Sequence, residues 1–324
     1  MQKTLADVVE IYKKPFFELI YLAHSVHKEY HPESSVQKCS LLSIKTGGCQ
    51  EDCSYCPQSA HYKTDVKKTG LMDLTEVGEA ILQAKASGAE RFCMGAAWRE
   101  VRNGPQFDQV LEMVQMVKRE GMEACVTLGM LTEDQAQRLK QAGLDAYNHN
   151  LDTSREYYDK IISTRTYDDR LNTLKRVRQA GITVCSGGII GMGESEEDRC
   201  AMLMELAQLD PQPESVPINL LIPVEGTPLA QQNDVDIFDL CRTIAVARVL
   251  MPRARVRLSA GRMDLTPEAQ ALAFFAGANS VFFGEKLLTR DNPDVEQDEK
   301  LFHKLGLNEG PLSSTDRQGV SLNV

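Results

Sequence analysis

From residue 40 onward, short apolar runs alternate with longer stretches in which apolar positions recur at helical spacing. The short runs are rich in β-branched residues and predict strands, whereas the longer stretches predict amphipathic helices. The predicted helices include residues 74–86, 107–120, 132–142 and 167–180. The predicted strands lie near residues 40–45, 91–97, 123–129, 146–152, 183–191, 215–222, 255–260 and 280–284.

Eight strand–helix units in succession predict an α/β fold, specifically a (β/α)8 TIM-type barrel with parallel strands. We expect residues 1–35 to form an N-terminal helical extension and residues 36–305 to form the barrel. Residues 306–324 are rich in Gly, Ser and Asn, and we expect them to form a flexible, disordered tail. In such a barrel the functional loops lie at the C-terminal ends of the strands.

The composition narrows the function classes. The 324 residues carry a formal net charge of −10, which disfavours nucleic acid as a partner because phosphate binding normally needs a basic face. No apolar run approaches the roughly eighteen residues of a membrane span, and the polar start lacks a signal-peptide pattern. The nine cysteines are clustered and too few for a disulfide scaffold. They predict a cytoplasmic protein whose thiols bind metal.

Three cysteines crowd the loop after the first predicted strand: Cys49, Cys53 and Cys56, with the spacing C-x3-C-x2-C. Three thiolates leave one iron of a 4Fe-4S cluster without a protein ligand, and an open iron can bind a small molecule. A zinc site with His61 as fourth ligand is an alternative, and three ordinary buried cysteines are another. The loop is polar and turn-rich, which favours the cluster.

Alternation along the strands separates the barrel interior, or lumen, from the wall that meets the helices. In the seventh predicted strand apolar residues take alternate positions and place Arg257 on the lumen face. In the fourth strand the same reasoning places Asn148, Asn150 and Asp152 in the lumen, and His149 against the helices as a satisfied structural histidine. A lumen lined by such polar groups is not one filled for stability alone.

Cys93, Cys125 and Cys185 fall on the second, third and fifth predicted strands, on the lumen face. A single one would be an ordinary small core residue, but three of them converging with Arg257 favour a second sulfur-rich site. A buried guanidinium needs an opposing anion, and thiolates or cluster sulfides supply one. Of the remaining cysteines, Cys200 and Cys241 are predicted to be packing residues of helices. For Cys39, which precedes the first predicted strand, a lumen position stays open.

Four motifs carry a family resemblance: KTGGCQEDCSYCPQS, YNHNLDTS, GGIIGMGE and RLSAGR, in that order. The cysteine loop resembles that of the radical S-adenosylmethionine (SAM) enzymes. Within them, the chain from about residue 35 to about residue 292 resembles the biotin synthase family. The resemblance implies that a 4Fe-4S cluster binds Cys49, Cys53 and Cys56, and that a 2Fe-2S cluster binds Cys93, Cys125, Cys185 and Arg257.

The resemblance also implies the reaction. SAM bound to the 4Fe-4S cluster is cleaved to methionine and a 5′-deoxyadenosyl radical, which removes hydrogen from dethiobiotin. The 2Fe-2S cluster then donates sulfur, and a second SAM completes the ring of biotin. Further expected partners are an external one-electron reductant, flavodoxin-like or ferredoxin-like, and a second copy of the chain in a homodimer.

Residue roles follow from the same resemblance. Expected SAM contacts come from a residue beside the cluster, two small residues near the end of strand two, strand four and its following helix, and the GGIIGMGE motif. Those residues are Tyr55, Gly95, Ala96, Asn150, Asp152, Arg170 and Ile189. Expected dethiobiotin contacts are Asn148, Asn150, Asn219 and Thr289. The chain has Met-Gly-Ala-Ala where many radical SAM enzymes have Gly-Gly-Glu, and Arg290 where some relatives have threonine.

Two other functions compete. Another radical SAM barrel, such as a maturase or mutase, would have a similar cysteine loop but needs no sulfur donor, so the three strand cysteines discriminate. An iron–sulfur sensing protein without turnover would need no polar lumen.

Overall fold

The computed structural model describes residues 3–284, 286–289 and 291–308. Two helices precede the barrel: α1 (Leu5–Tyr12) and α2 (Phe16–Tyr30). Helix α1 begins at a reciprocal cap in which the side chains of Thr4 and Asp7 each bond the other's backbone N–H. These helices match the predicted N-terminal extension, and both pack on the helices that surround the barrel.

The strands form one parallel sheet that closes on itself. They are β1 (Gln37–Lys45), β2 (Arg91–Ala96), β3 (Glu123–Thr127), β4 (Ala146–Asn148), β5 (Thr183–Cys185), β6 (Gly188–Ile190), β7 (Ser215–Leu220), β8 (Arg255–Leu258) and β9 (Ser280–Phe282). The order is β5-β4-β3-β2-β1-β9-β8-β7-β6, and β5 also pairs with β7 through Cys185 and Ser215. The predicted TIM-type barrel is confirmed.

The predicted fifth strand is divided into β5 and β6, which corrects its expected continuous run. A methyl group on Gly187 would come 1.9 Å from the carbonyl oxygen of Pro217, and one on Gly188 would come 2.0 Å from Sδ of Met202. Only glycine allows this close approach of the chain to β7 and its neighbouring helix. The two glycines therefore mark the point where the strand breaks.

Helices surround the sheet and connect successive strands. They are α3 (Leu74–Ala86), α4 (Pro105–Arg119), α5 (Glu133–Gln141), α6 (Arg155–Tyr158), α7 (Tyr167–Gln179), α8 (Glu196–Gln208), α9 (Ile237–Leu250), α10 (Pro267–Phe275) and α11 (Val295–Leu305). Several begin with the same reciprocal cap, at Asp73, Thr132, Thr166 and Ser195. These caps satisfy backbone donors that a helix start otherwise leaves unpaired.

The main apolar core lies between the sheet and the helices. Cys200 and Cys241 are fully buried in it, on α8 and α9, as packing residues. A separate small cluster lies inside the barrel and contains Cys39, Cys93 and Cys125. The two kinds of cysteine are therefore separated by the sheet itself.

The first three residues of the predicted tail, 306–308, are hydrogen-bonded to the rest of the protein. Gly306 ends α11, and the backbone N–H of Asn308 donates to the carbonyl of Ser34 at 2.9 Å. The side chain of Asn308 accepts from the backbone N–H of Val36 at 2.6 Å. These bonds tie residues 306–308 to the segment that enters β1, while residues 309–324 lie outside the described part of the chain. In the described residues, no helix combines the length and apolarity that crossing a membrane requires.

Candidate active site

A cavity of about 370 Å³ opens inside the barrel. Most of the residues that the sequence assigns to the site line it. They are Cys49, Tyr55, Cys56, Cys93, Gly95, Ala96, Cys125, Asn148, Asn150, Asp152, Ile189, Asn219, Arg257 and Thr289. Cys53, Arg170 and Cys185 lie behind this lining, and Arg290 lies outside the described residues.

The cysteine loop follows β1 at the mouth of the barrel. Its backbone is closed by bonds from the N–H of Cys49 to the carbonyl of Gln58 at 2.9 Å and from the N–H of Cys56 to that of Cys53 at 2.9 Å. Burial raises the pKa of the Cys53 thiol to about 12 and that of Cys56 to about 11. A metal that binds these sulfurs must therefore displace their protons.

A neighbouring segment after α6 holds the loop in place. The carboxylate of Asp52 accepts from the backbone N–H of Ser163 at 2.9 Å and that of Thr164 at 3.1 Å. The N–H of Ser54 donates to the carbonyl of Ile161 at 2.9 Å. These bonds cross more than a hundred positions of sequence, and they fix the three cysteines relative to the barrel rather than leaving them on a free loop.

The side chain of His61 does not join the cysteines. Its Nε2 lies 3.1 Å from the carbonyl oxygen of Gln50, and the residue is exposed. Among the residues that the structure describes, no three His, Cys, Asp or Glu side chains are arranged around a single metal ion. Each cysteine of a 4Fe-4S cluster binds its own iron, so these ligands need not converge on one point.

The polar residues of β4 and its continuation form a hydrogen-bonded row along the cavity wall. Nδ2 of Asn148 donates to Oδ1 of Asn150 at 3.1 Å, and Oδ1 of Asn148 accepts from the Thr127 hydroxyl at 3.1 Å. Oδ1 of Asn150 also accepts from the backbone N–H of Gly187 at 3.2 Å. The row is positioned by neighbouring strands on both sides.

Asp152 ends this row and connects it to the cysteine loop. Its carboxylate accepts from the Tyr55 hydroxyl at 2.7 Å and pairs with the Arg170 guanidinium. The backbone at Asp152 is left-handed, with φ of 70°, and its carbonyl accepts from the N–H of Ile189 at 2.8 Å. Such a conformation is uncommon outside glycine and marks a position held by its surroundings.

Arg170 was expected among the SAM contacts, but in the structure it lies behind Asp152. Its side chain is buried and donates from Nε to the Tyr158 hydroxyl at 2.7 Å and from Nη1 to the carbonyl of Asn150. A direct contact between Arg170 and SAM stays a prediction. It would require the guanidinium to contact SAM while it remains paired with Asp152.

His149 faces away from the lumen, as expected, and is buried. Its Nε2 has no hydrogen-bond partner among the described residues, which corrects the expectation of a satisfied histidine. Burial together with the charges of Arg165 and Arg170 holds its pKa well below the usual range. A neutral imidazole is therefore the form that fits this position.

The remaining predicted contacts surround the upper cavity. Gly95 packs against the side chain of Leu288, and a methyl group added to Gly95 would lie 2.7 Å from Cδ2 of Leu288. Nδ2 of Asn219 donates to the carbonyl of Gly188 at 3.0 Å, and its Oδ1 accepts from the N–H of Ala260 at 3.3 Å. The amide of Asn219 thus already joins three segments, leaving one N–H of its Nδ2 for a ligand.

Sulfur dominates the lower end of the cavity. Cys93 and Cys125 occupy paired positions on β2 and β3. The Arg257 guanidinium lies 3.9 Å from Sγ of Cys185, and Nδ2 of Asn148 lies 3.4 Å from the same sulfur. A hydrogen bond from Cys125, followed by the charge of Arg257, lowers the pKa of Cys185 to about 6. The three strand cysteines and Arg257 are therefore brought together inside the barrel.

Two residues that the sequence reasoning did not assign also reach this lower end. Arg91, at the start of β2, shares the lumen face of Cys93, and Cys39 lies on β1 opposite it. The alternation of β2 already places Arg91 on the same face as Cys93, so strand parity was the signal that could have identified it. Cys39 was missed because the predicted first strand began at residue 40, three residues after the observed start at Gln37.

The donor set at the lower end fits an anionic iron–sulfur group. Arg91 bonds Glu123 through Nε at 2.8 Å, but its buried Nη1 has no hydrogen-bond partner among the described residues. Two buried guanidinium groups beside soft sulfur ligands provide positive charge where thiolates and sulfides would add negative charge.

Family models match most of the chain. A model of the Radical SAM superfamily matches residues 43–206. A model of the Biotin and Thiamin Synthesis associated domain matches residues 217–308. The first spans the cysteine loop and the strands through β6, and the second spans the remaining strands with Arg257.

Curated relatives match along almost the full chain. Biotin synthase of Myxococcus xanthus is 61% identical over 304 residues, covering 94% of this chain and 88% of that protein. Biotin synthase of Christiangramia forsetii is 59% identical over 305 residues, covering 94% of this chain and 84% of that protein. Biotin synthase of Synechococcus elongatus is 59% identical, covering 94% and 95%.

Solved structures share the fold at low sequence identity. Methylornithine synthase aligns with a TM-score of 0.79 at 20% identity, covering 98% of this chain and 96% of that one. The FeFe-hydrogenase maturase HydG from Carboxydothermus hydrogenoformans aligns with a TM-score of 0.76 at 17% identity, covering 94% and 75%. These two show the barrel alone, whereas the cysteine loop, the family models and the curated relatives together show that this chain belongs to the biotin synthase family of radical SAM enzymes.

Proposed function

We propose that the chain is a sulfurtransferase that converts dethiobiotin to biotin, with a 4Fe-4S cluster that cleaves SAM and a 2Fe-2S cluster that donates sulfur. The observation that carries this proposal is the placement of thiols at two ends of one cavity. Cys49 and Cys56 line its mouth, and Cys93, Cys125 and Arg257 line its lower end. A substrate between them would be within reach of both groups.

Bound together, the cofactors supply a 5′-deoxyadenosyl radical and a sulfur atom, and the protein supplies position and exclusion of water. Cys49, Cys53 and Cys56 would each hold one iron of the upper cluster. The bonds of Asp52 and Ser54 to the segment after α6 hold these ligands at the mouth of the cavity. Membership of the radical SAM enzymes implies this cluster and SAM as cofactors.

We assign SAM to the upper part of the cavity. Tyr55 presents an aromatic face within the cysteine loop, while the carboxylate of Asp152 can accept from ribose hydroxyls and Nδ2 of Asn150 can donate to them. Gly95 and Ala96 line the region that we assign to the methionyl group, and Ile189 offers an apolar contact to adenine. Arg170 would act through its ion pair with Asp152.

We assign dethiobiotin to the middle of the cavity. The amides of Asn148, Asn150 and Asn219 line that region and match the donor and acceptor pattern of a ureido group. The Thr289 hydroxyl, on the loop after β9, suits the substrate carboxylate. Arg290 lies outside the described residues, so a guanidinium contribution to the carboxylate stays a prediction.

We assign the 2Fe-2S cluster to Cys93, Cys125, Cys185 and Arg257. The buried thiols provide soft ligands for iron, and Arg257 offsets their charge. An external one-electron reductant, flavodoxin-like or ferredoxin-like, a homodimeric assembly and a cytoplasmic location complete the proposal. The reductant follows from the reaction's need for an electron, the location from the reducing conditions that free thiols require, and the homodimer from the family resemblance.

The proposal is tested with anaerobically reconstituted protein and a Cys125→Ala variant. Wild type should contain both clusters and form biotin together with 5′-deoxyadenosine. Cys125→Ala should retain the upper cluster and reductive SAM cleavage but lose 2Fe-2S absorption and biotin formation. Cys241→Ala removes a buried cysteine of α9 outside the barrel and should behave as wild type. Biotin formation by Cys125→Ala without a second cluster would overturn the assignment.

A further inference from the structure

A fourth cysteine, Cys39, lies at the lower end of the barrel. It is on β1, fully buried, and two positions before Leu41, which lines the cavity. Since alternate residues of a strand share a face, Cys39 and Leu41 both point into the barrel. Strand β1 pairs with β2 on one side and β9 on the other, which places Cys39 between the strands that carry Cys93 and Ser280.

The surroundings of Cys39 are those of the proposed cluster. Its Sγ lies 3.2 Å from Nη2 of Arg257 and 3.7 Å from Oγ of Ser280. It packs in one group with Cys93 and Cys125, separate from the core outside the sheet. Cys39 is therefore closer to the Arg257 guanidinium than Cys185, whose sulfur is 3.9 Å away.

The number of ligands that a 2Fe-2S cluster needs indicates what Cys39 could do. A 2Fe-2S cluster is normally held by four cysteines, two on each iron. Cys93, Cys125 and Cys185 supply three, and Arg257 is a weak ligand because its guanidinium normally stays protonated. A thiolate at Cys39 would complete a four-cysteine set with a stronger and softer ligand than arginine.

We infer that Cys39 is a fourth thiolate ligand available to the 2Fe-2S cluster, in the place otherwise taken by Arg257. The inference rests on the proposed function, because it assumes that a cluster forms at Cys93, Cys125 and Cys185. Replacing a guanidinium ligand by a thiolate adds negative charge to the group. Arg257, still in contact with Cys39, and the unpaired Nη1 of Arg91 would then offset that charge.

The test is a double-mutant cycle on the whole protein, reconstituted anaerobically with iron and sulfide. Cys39→Val replaces the thiol with an apolar group of similar size, and Arg257→Met removes the guanidinium. Each single variant should keep the second cluster, since one candidate fourth ligand remains in each. The double variant should lose most of the iron, sulfide and absorption of that cluster. Cys241→Val, in the core outside the sheet, is the matched control.

Spectra give a readout that does not depend on turnover. The electron paramagnetic resonance signal of the reduced second cluster should change in Arg257→Met if Cys39 replaces the arginine, and should then disappear in the double variant. Circular dichroism melting of the unloaded proteins tests whether each variant folds. A double variant that folds and keeps the cluster of Arg257→Met would overturn the inference, as would loss of the cluster from Arg257→Met alone.

Failure of the proposed function would look different. If wild type bound no second cluster after reconstitution, the lower site itself would be misassigned, and the cycle would have no signal to lose. If wild type bound it and all variants matched wild type, only the role of Cys39 would be wrong.

Discussion

Asp152 shows how one residue connects the parts of the site. Its carboxylate bonds the Tyr55 hydroxyl on the cysteine loop and pairs with Arg170 on α7. Its backbone takes a left-handed conformation and bonds Ile189 on β6. Asp is among the few residues that tolerate this conformation, so the identity of the residue serves both the backbone and the polar contacts.

Replacing Asp152 by Asn should weaken SAM binding by about 1.5–3 kcal/mol, roughly ten- to 150-fold in Kd, because a charged hydrogen-bond acceptor becomes neutral. Both clusters should remain, since no cysteine is altered. Equilibrium binding of SAM to reconstituted protein measures the change, and the exposed Asp159→Asn is the control. An unchanged SAM affinity would remove Asp152 from the cofactor site.

Two variants of the lower site distinguish a residue that binds iron from one that mainly balances charge. Arg257→Met should keep a 2Fe-2S cluster and some biotin formation, because the thiols still bind iron and Met fills similar volume without a buried charge. Cys185→Ala removes a soft ligand and should lose the cluster or sulfur insertion. Iron content, absorption and biotin formed per chain measure both. Equal loss in the two variants would make Arg257 an indispensable ligand.

At the scale of elements, the loop after β1 carries the cysteines at the mouth of the cavity, while the strands carry those at its lower end. The cysteine loop is held by bonds from Asp52 and Ser54 to residues that follow α6. The break between β5 and β6 brings Gly187 and Gly188 against β7 and α8. Both features join segments that are far apart in the sequence.

Replacing any one of Cys49, Cys53 or Cys56 by Ala should abolish reductive SAM cleavage, because too few ligands remain for a cluster with one open iron. Formation of 5′-deoxyadenosine under reducing, anaerobic conditions is the measurement. The lower cluster should still load in these variants, which distinguishes loss of one cluster from loss of the fold. A variant with native 5′-deoxyadenosine formation would contradict the assignment of its cysteine.

Gly188→Ala should lower the free energy of unfolding by about 1–3 kcal/mol, the usual cost of overpacking. The added methyl group would lie 2.0 Å from Sδ of Met202 and 2.8 Å from the carbonyl oxygen of Asp152. Gly70→Ala meets nothing within 4 Å and serves as the control. Denaturant unfolding of both proteins without cofactors measures the difference, and equal stability would show that the β5–β6 break tolerates a side chain.

At the scale of the whole molecule, the N-terminal helices are joined to the barrel through buried cations and histidines. Arg248 of α9 donates from Nη2 to the carbonyl of Gly277 at 2.8 Å, and its Nη1 lies 3.0 Å from Nε2 of His31. Burial, followed by the charge of Arg248, lowers the pKa of His27 to about 3 and that of His31 to about 4. Both imidazoles are therefore neutral in the folded protein near neutral pH.

This arrangement predicts acid sensitivity. Because the folded pKa values lie below the ordinary 6.5, the stabilising contribution is complete above pH 6.5 and declines as pH falls towards 4. For each histidine, the free energy of unfolding should fall by about 1.4 kcal/mol per pH unit in that window, because the unfolded state binds the proton more readily. Unfolding of His31→Gln between pH 7 and pH 5 should show a flatter decline than wild type. Equal slopes in His31→Gln and wild type would contradict the prediction.

The sequence by itself determined the alternation of strands and helices, the spacing of the cysteine loop and the lumen face that carries Arg257 and Asn148. These features depend on local periodicity, which side-chain polarity records directly. The tertiary structure alone decided that Arg170 pairs with Asp152, that β5 and β6 are separate, and that Cys39 lies beside Cys93. Those contacts depend on barrel closure and on the register between strands, which bring together residues that no local pattern connects.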